Sequence, residues 1–220
     1  MVHRNKVYGN AKSTQRLAIR AILKGENMDL VIKAMALARQ YHQGQVRSTR
    51  TGPAVPYVMH LMQVNEFLNS VGASHAYGSE IFILGFLHDI IEDTAYPEEH
   101  LLRDFGEEIA EDVLLLTLPR NARVEPYKTN HQLLVMQDSH TANRVRAVKI
   151  ADKTANVHDL VAYPPRWGTQ SILAYAEAAR KVVDEAVLFS GDCPVMKQLQ
   201  HQFSIHHRRA VDYWSAQGGA

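Results

Sequence analysis

The sequence predicts an all-α protein folded as a single helical bundle. Three observations carry that reading. Apolar residues recur at three- and four-residue spacing along most of the chain, Gly, Pro and short polar clusters punctuate those segments, and no period-two alternation runs long enough for a strand. At 220 residues the chain is long enough to bury a core, and its 46% hydrophobic and 21% charged content is ordinary for a globular domain.

Each element has its own signal. Asp29–His42 places Leu30, Ala34, Leu37, Ala38 and Tyr41 on one helical face, with Asn27 or Asp29 as N-cap. Gly44–Pro56 is a basic loop punctuated by Gly and Pro. A second helix from about Met59 turns Val64, Phe67, Leu68 and Val71 inward and closes at Gly72. Ser79 caps a third, which is apolar on every side over Ile81–Leu87 and therefore belongs in the interior. Pro97 opens a short helix, Glu107–Leu118 follows, and Pro119 stops it. Residues 119–140 read as a polar, irregular surface excursion with a turn or two of helix. Arg144–Val161 is a long helix that Pro164-Pro165 forbids from continuing. Thr169–Phe189 is another, with Ala174, Ala178, Val182 and Ala186 as its stripe, and after Gly191–Pro194 a last helix runs over Val195–Trp214. The organisation expected is an N-terminal helical extension (1–27), one domain (28–189) and a C-terminal helical extension (190–220).

Composition narrows the function. Lys and Arg number 24 against 23 Asp and Glu, a net charge of +1, so no overall field points to nucleic acid or to an anionic membrane. No apolar run reaches the roughly 18 residues of a membrane span, and the first residues lack the apolar core of a signal peptide. Cys193 is the single cysteine, which rules out an intrachain disulfide and a thiolate zinc site and fits a reducing, cytoplasmic setting. Homo-oligomer formation is left open. Of the twelve histidines, His201, His206 and His207 lie in a polar stretch and read as surface residues; His60 and His88 are different.

His88-Asp89 and Glu92-Asp93 stand at the end of the unbroken apolar run Ile81–Leu87. Four ionisable groups there are costly to bury unless a metal, cations or water compensate them. At about 100° per residue the four fall within roughly 140° of a helix circumference. Two readings follow: a metal site with a catalytic carboxylate beside it, or a helix end that simply meets water. Asp152 and Asn156 stack at i,i+4 in the helix Arg144–Val161, although Asp152-Lys153 taken alone reads as a surface pair, and His60 taken alone as an exposed or satisfied histidine.

The three pieces together resemble the H…HD…D pattern of the HD-domain phosphohydrolases, as His60, His88-Asp89 and Asp152. The flanks resemble the RelA/SpoT-type hydrolase domain: His42–Arg47 (HQGQVR) with Pro56–His60 (PYVMH), Leu87–Thr94 (LHDIIEDT) and Val148–Leu160 (VKIADKTANVHDL). Pro165-Arg166-Trp167 followed by Tyr175 is similar to the small stand-alone alarmone hydrolases of the metazoan type. The resemblance covers roughly residues 28–189.

It implies an HD-type helical bundle that holds one divalent ion, usually Mn²⁺, with Mg²⁺ or another divalent metal as substitutes, through His60, His88, Asp89 and Asp152. Two imidazoles and two carboxylates suit such an ion and leave positions for water and substrate. The implied reaction removes the 3′-pyrophosphate of ppGpp or pppGpp, with Glu92 and Asp93 as the catalytic pair. The implied partner is a small-molecule nucleotide, contacted by Arg47, Asn156 and Tyr175 and more weakly by Arg50; guanidinium suits both phosphate forks and purine stacking. The chain departs from the pattern at Ser48, where a basic residue is common, and at His158, where an arginine is common. Alternatives are the same metal chemistry on ppApp or on the 2′-phosphate of NADPH, and a non-catalytic nucleotide sensor or antitoxin. A sensor would be favoured by a missing ligand or by loss of Glu92 and Asp93, and all of these are present.

Overall fold

A computed structural model describes residues 28–217; the extension expected over 1–27 lies outside the described residues. Helix α1 covers residues 28–41. The basic loop after it contains a two-residue antiparallel ladder, β1 (Val46–Arg47) with β2 (Val55–Pro56), which folds the loop back as a hairpin. Then come α2 (Val58–Ser70), α3 (Ala73–Tyr77), α4 (Glu80–Leu87), α5 (Ile90–Asp93), α6 (Glu99–Phe105) and α7 (Glu107–Leu116). A 3₁₀ turn at Arg120–Ala122 precedes α8 (Tyr127–Gln137), α9 (Asn143–Ala162), α10 (Thr169–Leu188) and α11 (Pro194–Gln217). No described helix is long and apolar enough to cross a membrane.

The bundle is built around α9, against which α2, α10 and α11 all pack. The second apolar centre is α4, whose Ile81, Ile83, Leu84 and Leu87 are fully buried. Those side chains contribute on the order of 1.5–3 kcal/mol each. Together they offset the several kcal/mol per ion that keeping charged groups out of bulk water costs at the end of the same helix. Gly85 sets how closely α4 approaches α2, since a Cβ there would stand 2.4 Å from Asn65 Oδ1. This approach brings His60 of α2 beside His88, with ring centroids 5.5 Å apart.

Several expectations are corrected. The HDIIED segment is not one helix: α4 ends at Leu87, Asp89 adopts φ −111° and ψ 3°, and α5 restarts at Ile90. The break lets His88 and Asp89 turn toward α2 and α9 instead of following the helical spiral. Residues 119–140 hold an eleven-residue helix, α8, and not an irregular excursion. Its polar face lines a cavity, so it lacks the apolar stripe that reveals a helix. On α10 the buried face runs through Ile172, Ala176, Ala179, Val182, Val183 and Ala186, while Ala174 is exposed. Ser79 occupies the N-cap position of α4 without a capping side-chain bond. His206 and His207 are half-buried, not free on the surface.

The last helix is part of the packing. Met196, Leu199, Phe203, Ala210 and Trp214 are buried against α9 and α10. Trp214 Nε1–H donates to the Leu160 carbonyl near the end of α9, at 2.9 Å. Trp214→Phe leaves that carbonyl unsatisfied, which costs about 1–3 kcal/mol. Thermal denaturation is expected to show a Tm lower by several degrees, and an unchanged Tm refutes a stabilising role for this bond.

Candidate metal centre and pocket

Four side chains from three elements meet at the bottom of a cavity. His60 comes from the first turn of α2, His88 and Asp89 from the break after α4, and Asp152 from the middle of α9. His60 Nε2 lies 3.3 Å from Asp152 Oδ1 and 3.9 Å from Asp89 Oδ2. His88 Nε2 lies 2.9 Å from Asp89 Oδ2 and 3.7 Å from Asp152 Oδ1. His60 is 2% and His88 0% exposed. The donor atoms of His60, His88 and Asp152 all lie within 4.8 Å of one another, a spacing one metal ion can bridge.

The hydrogen bonds fix which atoms are free. His88 Nδ1–H donates to the Gly85 carbonyl at 3.0 Å, so in the neutral ring Nε2 carries a lone pair and faces the carboxylates. Neither nitrogen of His60, nor Nε2 of His88, has a hydrogen-bond partner among the described residues. Buried polar atoms without partners are rare and costly. Lone pairs aimed at carboxylate oxygens repel unless positive charge stands between them. Burial opposes a charge on His88, yet Asp89 and Asp152 outweigh it and hold its pKa up at about 10. Burial would raise Asp89 as well, but His88 beside it holds it well below the usual carboxylate range, and Lys153 with the imidazoles does the same for Asp152. His60 is lowered by burial and by Arg47. The cluster holds a proton tightly for the reason that it suits a divalent cation. The donor set fits such an ion.

Around it runs a supporting layer. The Tyr57 hydroxyl donates to Asp89 Oδ2. His42 stacks on the Tyr57 ring at 4.8 Å and the Arg47 guanidinium lies 5.1 Å from it. Gln45 accepts from His42 at 2.7 Å and donates to the Asp93 carbonyl at 2.6 Å, tying the hairpin to α5. Lys153 and Lys149 stand 3.6 and 3.9 Å from Asp152 Oδ2. Both lysines are 4% exposed, so Asp152-Lys153 is a buried pair and not the surface pair that its sequence alone indicates.

The cavity above holds about 450 Å³, a volume typical of small-molecule sites. Asp89 and Asp152 open into it, as do Glu92, Asp93, Arg47, Asn156 and Tyr175; the two histidines lie beneath. Glu92 Oε2 accepts from the Leu118 N–H at 3.2 Å. Burial and the neighbouring Asp89 charge raise the pKa of Glu92 and of Asp93. Arg47 and Asn156 are committed to protein partners: Arg47 donates to Asp159 Oδ2 (2.8 Å) and Asn156 Oδ1 (2.9 Å), and Asn156 donates to Asp152 Oδ1 (2.6 Å). Arg50 is not brought into the cavity. Its guanidinium donates to the Trp167 carbonyl at 2.5 Å and lies 4.9 Å from the Trp214 ring.

Pocket residues without a role assigned from sequence include Tyr57, Lys128, Lys149, Lys153, Asp159, Arg166 and Trp167. The two α9 lysines carried a readable signal, lying on either side of Asp152 among the apolar residues Val145, Val148, Ile150 and Ala151. Lys128 carried none, since it sits in the stretch whose helix the periodicity does not disclose.

A family model described as HD domain matches residues 34–181. A guanosine-3′,5′-bis(diphosphate) 3′-pyrophosphohydrolase of Haemophilus influenzae is 32% identical over 78% of this chain and 22% of its own length. The guanosine-3′,5′-bis(diphosphate) 3′-pyrophosphohydrolase MESH1 of Xenopus tropicalis is 26% identical over 70% of this chain and 83% of its own. Against the long curated relatives, the chain spans about a fifth of their length. A solved structure of a metazoan orthologue of SpoT, described as hydrolysing ppGpp, superposes with a TM-score of 0.68 at 23% identity, covering 82% of this chain and 94% of that one. With its helical architecture and the extent of these matches, the chain belongs to the HD domain family.

Proposed function

We propose that this chain is a manganese-dependent hydrolase that acts in the cytoplasm on guanosine tetra- or pentaphosphate, removing the 3′-pyrophosphate to leave GDP or GTP. One observation carries the reading: two buried imidazoles, with unpartnered nitrogens, meet two carboxylates at the floor of a cavity lined by cations. Two relatives that cover most of this chain bear the name of that activity. We assign His60, His88, Asp89 and Asp152 as the metal-holding set within a domain of residues 28–189.

Bound there, a divalent ion supplies a Lewis acid for a phosphoryl oxygen and an acidified water. The chain supplies the rest. Glu92 is the proton acceptor, with one oxygen fixed by Leu118 N–H and a proton affinity raised by burial and by Asp89. Asp93 orients the same water. Lys149 and Lys153 hold Asp152 in place and offset the charge of the phosphate chain. Tyr175 closes one side of the cavity, and Arg47 with Asn156 fixes Asp152 from the other.

The test is incubation of the protein and Mn²⁺ with ppGpp, ppApp and NADPH, with products resolved by anion exchange. Pyrophosphate and GDP released from ppGpp fastest of the three is the expected result. Orthophosphate from NADPH as the main product overturns the substrate, and no product from any of them overturns the hydrolase.

A further inference from the structure

Arg47 spends two of its donors on Asp159 and Asn156, and Lys149 and Lys153 face Asp152. Arg166 differs. Its Nε donates to the Thr49 carbonyl at 3.2 Å, and its two Nη groups make no hydrogen bond or ion pair among the described residues. It lies in the loop between α9 and α10, beyond Ala162, and lines the same cavity as Asp152. Ten residues of α9 separate Asp152 from Ala162, about 15 Å along the axis. That suits a nucleoside bearing phosphate chains on both sides of its ribose.

The loop is also held in place. The Arg50 N–H donates to the Pro164 carbonyl at 2.6 Å and the Arg50 guanidinium to the Trp167 carbonyl, so three bonds tie the 164–167 loop to the hairpin. Trp214 backs Arg50 at 4.9 Å. Beside Arg166, Trp167 keeps 48% of its surface exposed while its ring tilts onto Tyr175 at 5.6 Å, an aromatic face left open at the mouth of a cavity. A held guanidinium with free donors beside an open aromatic face is a binding arrangement for an anion attached to a ring.

We propose that Arg166, with Trp167, forms a second anion subsite that selects nucleotides by the phosphates on the end of the ribose away from the bond being broken. The subsite rests on the nucleotide reading above, but its test does not need turnover. Affinities for GDP, GMP and guanosine are measured by calorimetry, in the presence of Mn²⁺, on the wild type and on Arg166→Gln and Arg166→Lys. The wild type is expected to prefer GDP over guanosine by at least about tenfold, the loss of one charge-assisted contact being of that order. Arg166→Gln brings the ratio close to one with guanosine affinity unchanged, and Arg166→Lys restores most of it. A ratio that survives Arg166→Gln, or a wild type that does not discriminate, overturns the subsite. Discrimination through Arg166 in a protein that releases no pyrophosphate from ppGpp upholds the subsite and overturns the hydrolase.

Discussion

Glu92→Gln is expected to lower kcat by roughly a hundred- to ten-thousand-fold, the usual worth of a positioned general base, while metal content and Tm stay at wild-type values. The separation is built into the geometry. Among the described residues Glu92 makes one hydrogen bond, as acceptor from Leu118 N–H, and a glutamine carbonyl can accept it equally well. The amide has no basic oxygen for the water's proton. Glu92 is not one of the four groups proposed to hold the ion, so elemental analysis should return the wild-type manganese content. Asp93→Asn is expected to cost less, because Asp93 lies on the more exposed side of α5 and its carbonyl, not its carboxylate, carries the bond to Gln45. If Glu92→Gln turns over at the wild-type rate, the proton acceptor is elsewhere.

How far the sequence discloses this arrangement depends on what each residue is buried against. Ile81–Leu87 is legible because a helix apolar on all sides has one stable location. The long helices of the second half are legible because α10 and α11 each bury a stripe, α9 is buried on every side over residues 145–155, and all three end at Pro or Gly punctuation. What is not legible is burial of polar faces. Lys128 and Gln132 face a cavity, so α8 shows no apolar period and reads as a loop. The break at Asp89 is equally silent, since the same letters fit a continuous helix; the backbone departs only because the imidazole and carboxylate have partners on α2 and α9. Pocket membership needs tertiary contacts too. Arg50 and Arg166 are both arginines next to Gly- or Pro-rich loops, yet one packs on Trp214 and the other lines the cavity.

Asp152→Ala is expected to lose bound manganese and thermal stability together, through two effects that can be measured apart. The first needs no metal. Lys149 and Lys153, both buried, stand beside Asp152: burial lowers the pKa of each, the Asp152 carboxylate opposes that shift, and Asn156 donates to the same carboxylate. Removing the acid takes away the carboxylate that most favours their charged form, and breaking a buried pair costs about 3–5 kcal/mol, so the variant should melt lower than the wild type even with chelator present. The second is linkage: an ion that binds only the folded state adds RT ln(1 + [M]/Kd), about 2.7 kcal/mol at a hundredfold excess over Kd. The wild type should therefore gain Tm on adding Mn²⁺, and Asp152→Ala should gain none. The sum of the two losses exceeds either alone, and chelator titration separates them. A metal-dependent rise that persists in Asp152→Ala, with manganese still present by elemental analysis, removes Asp152 from the metal-holding set and leaves the unpartnered imidazoles without their counter-ligand.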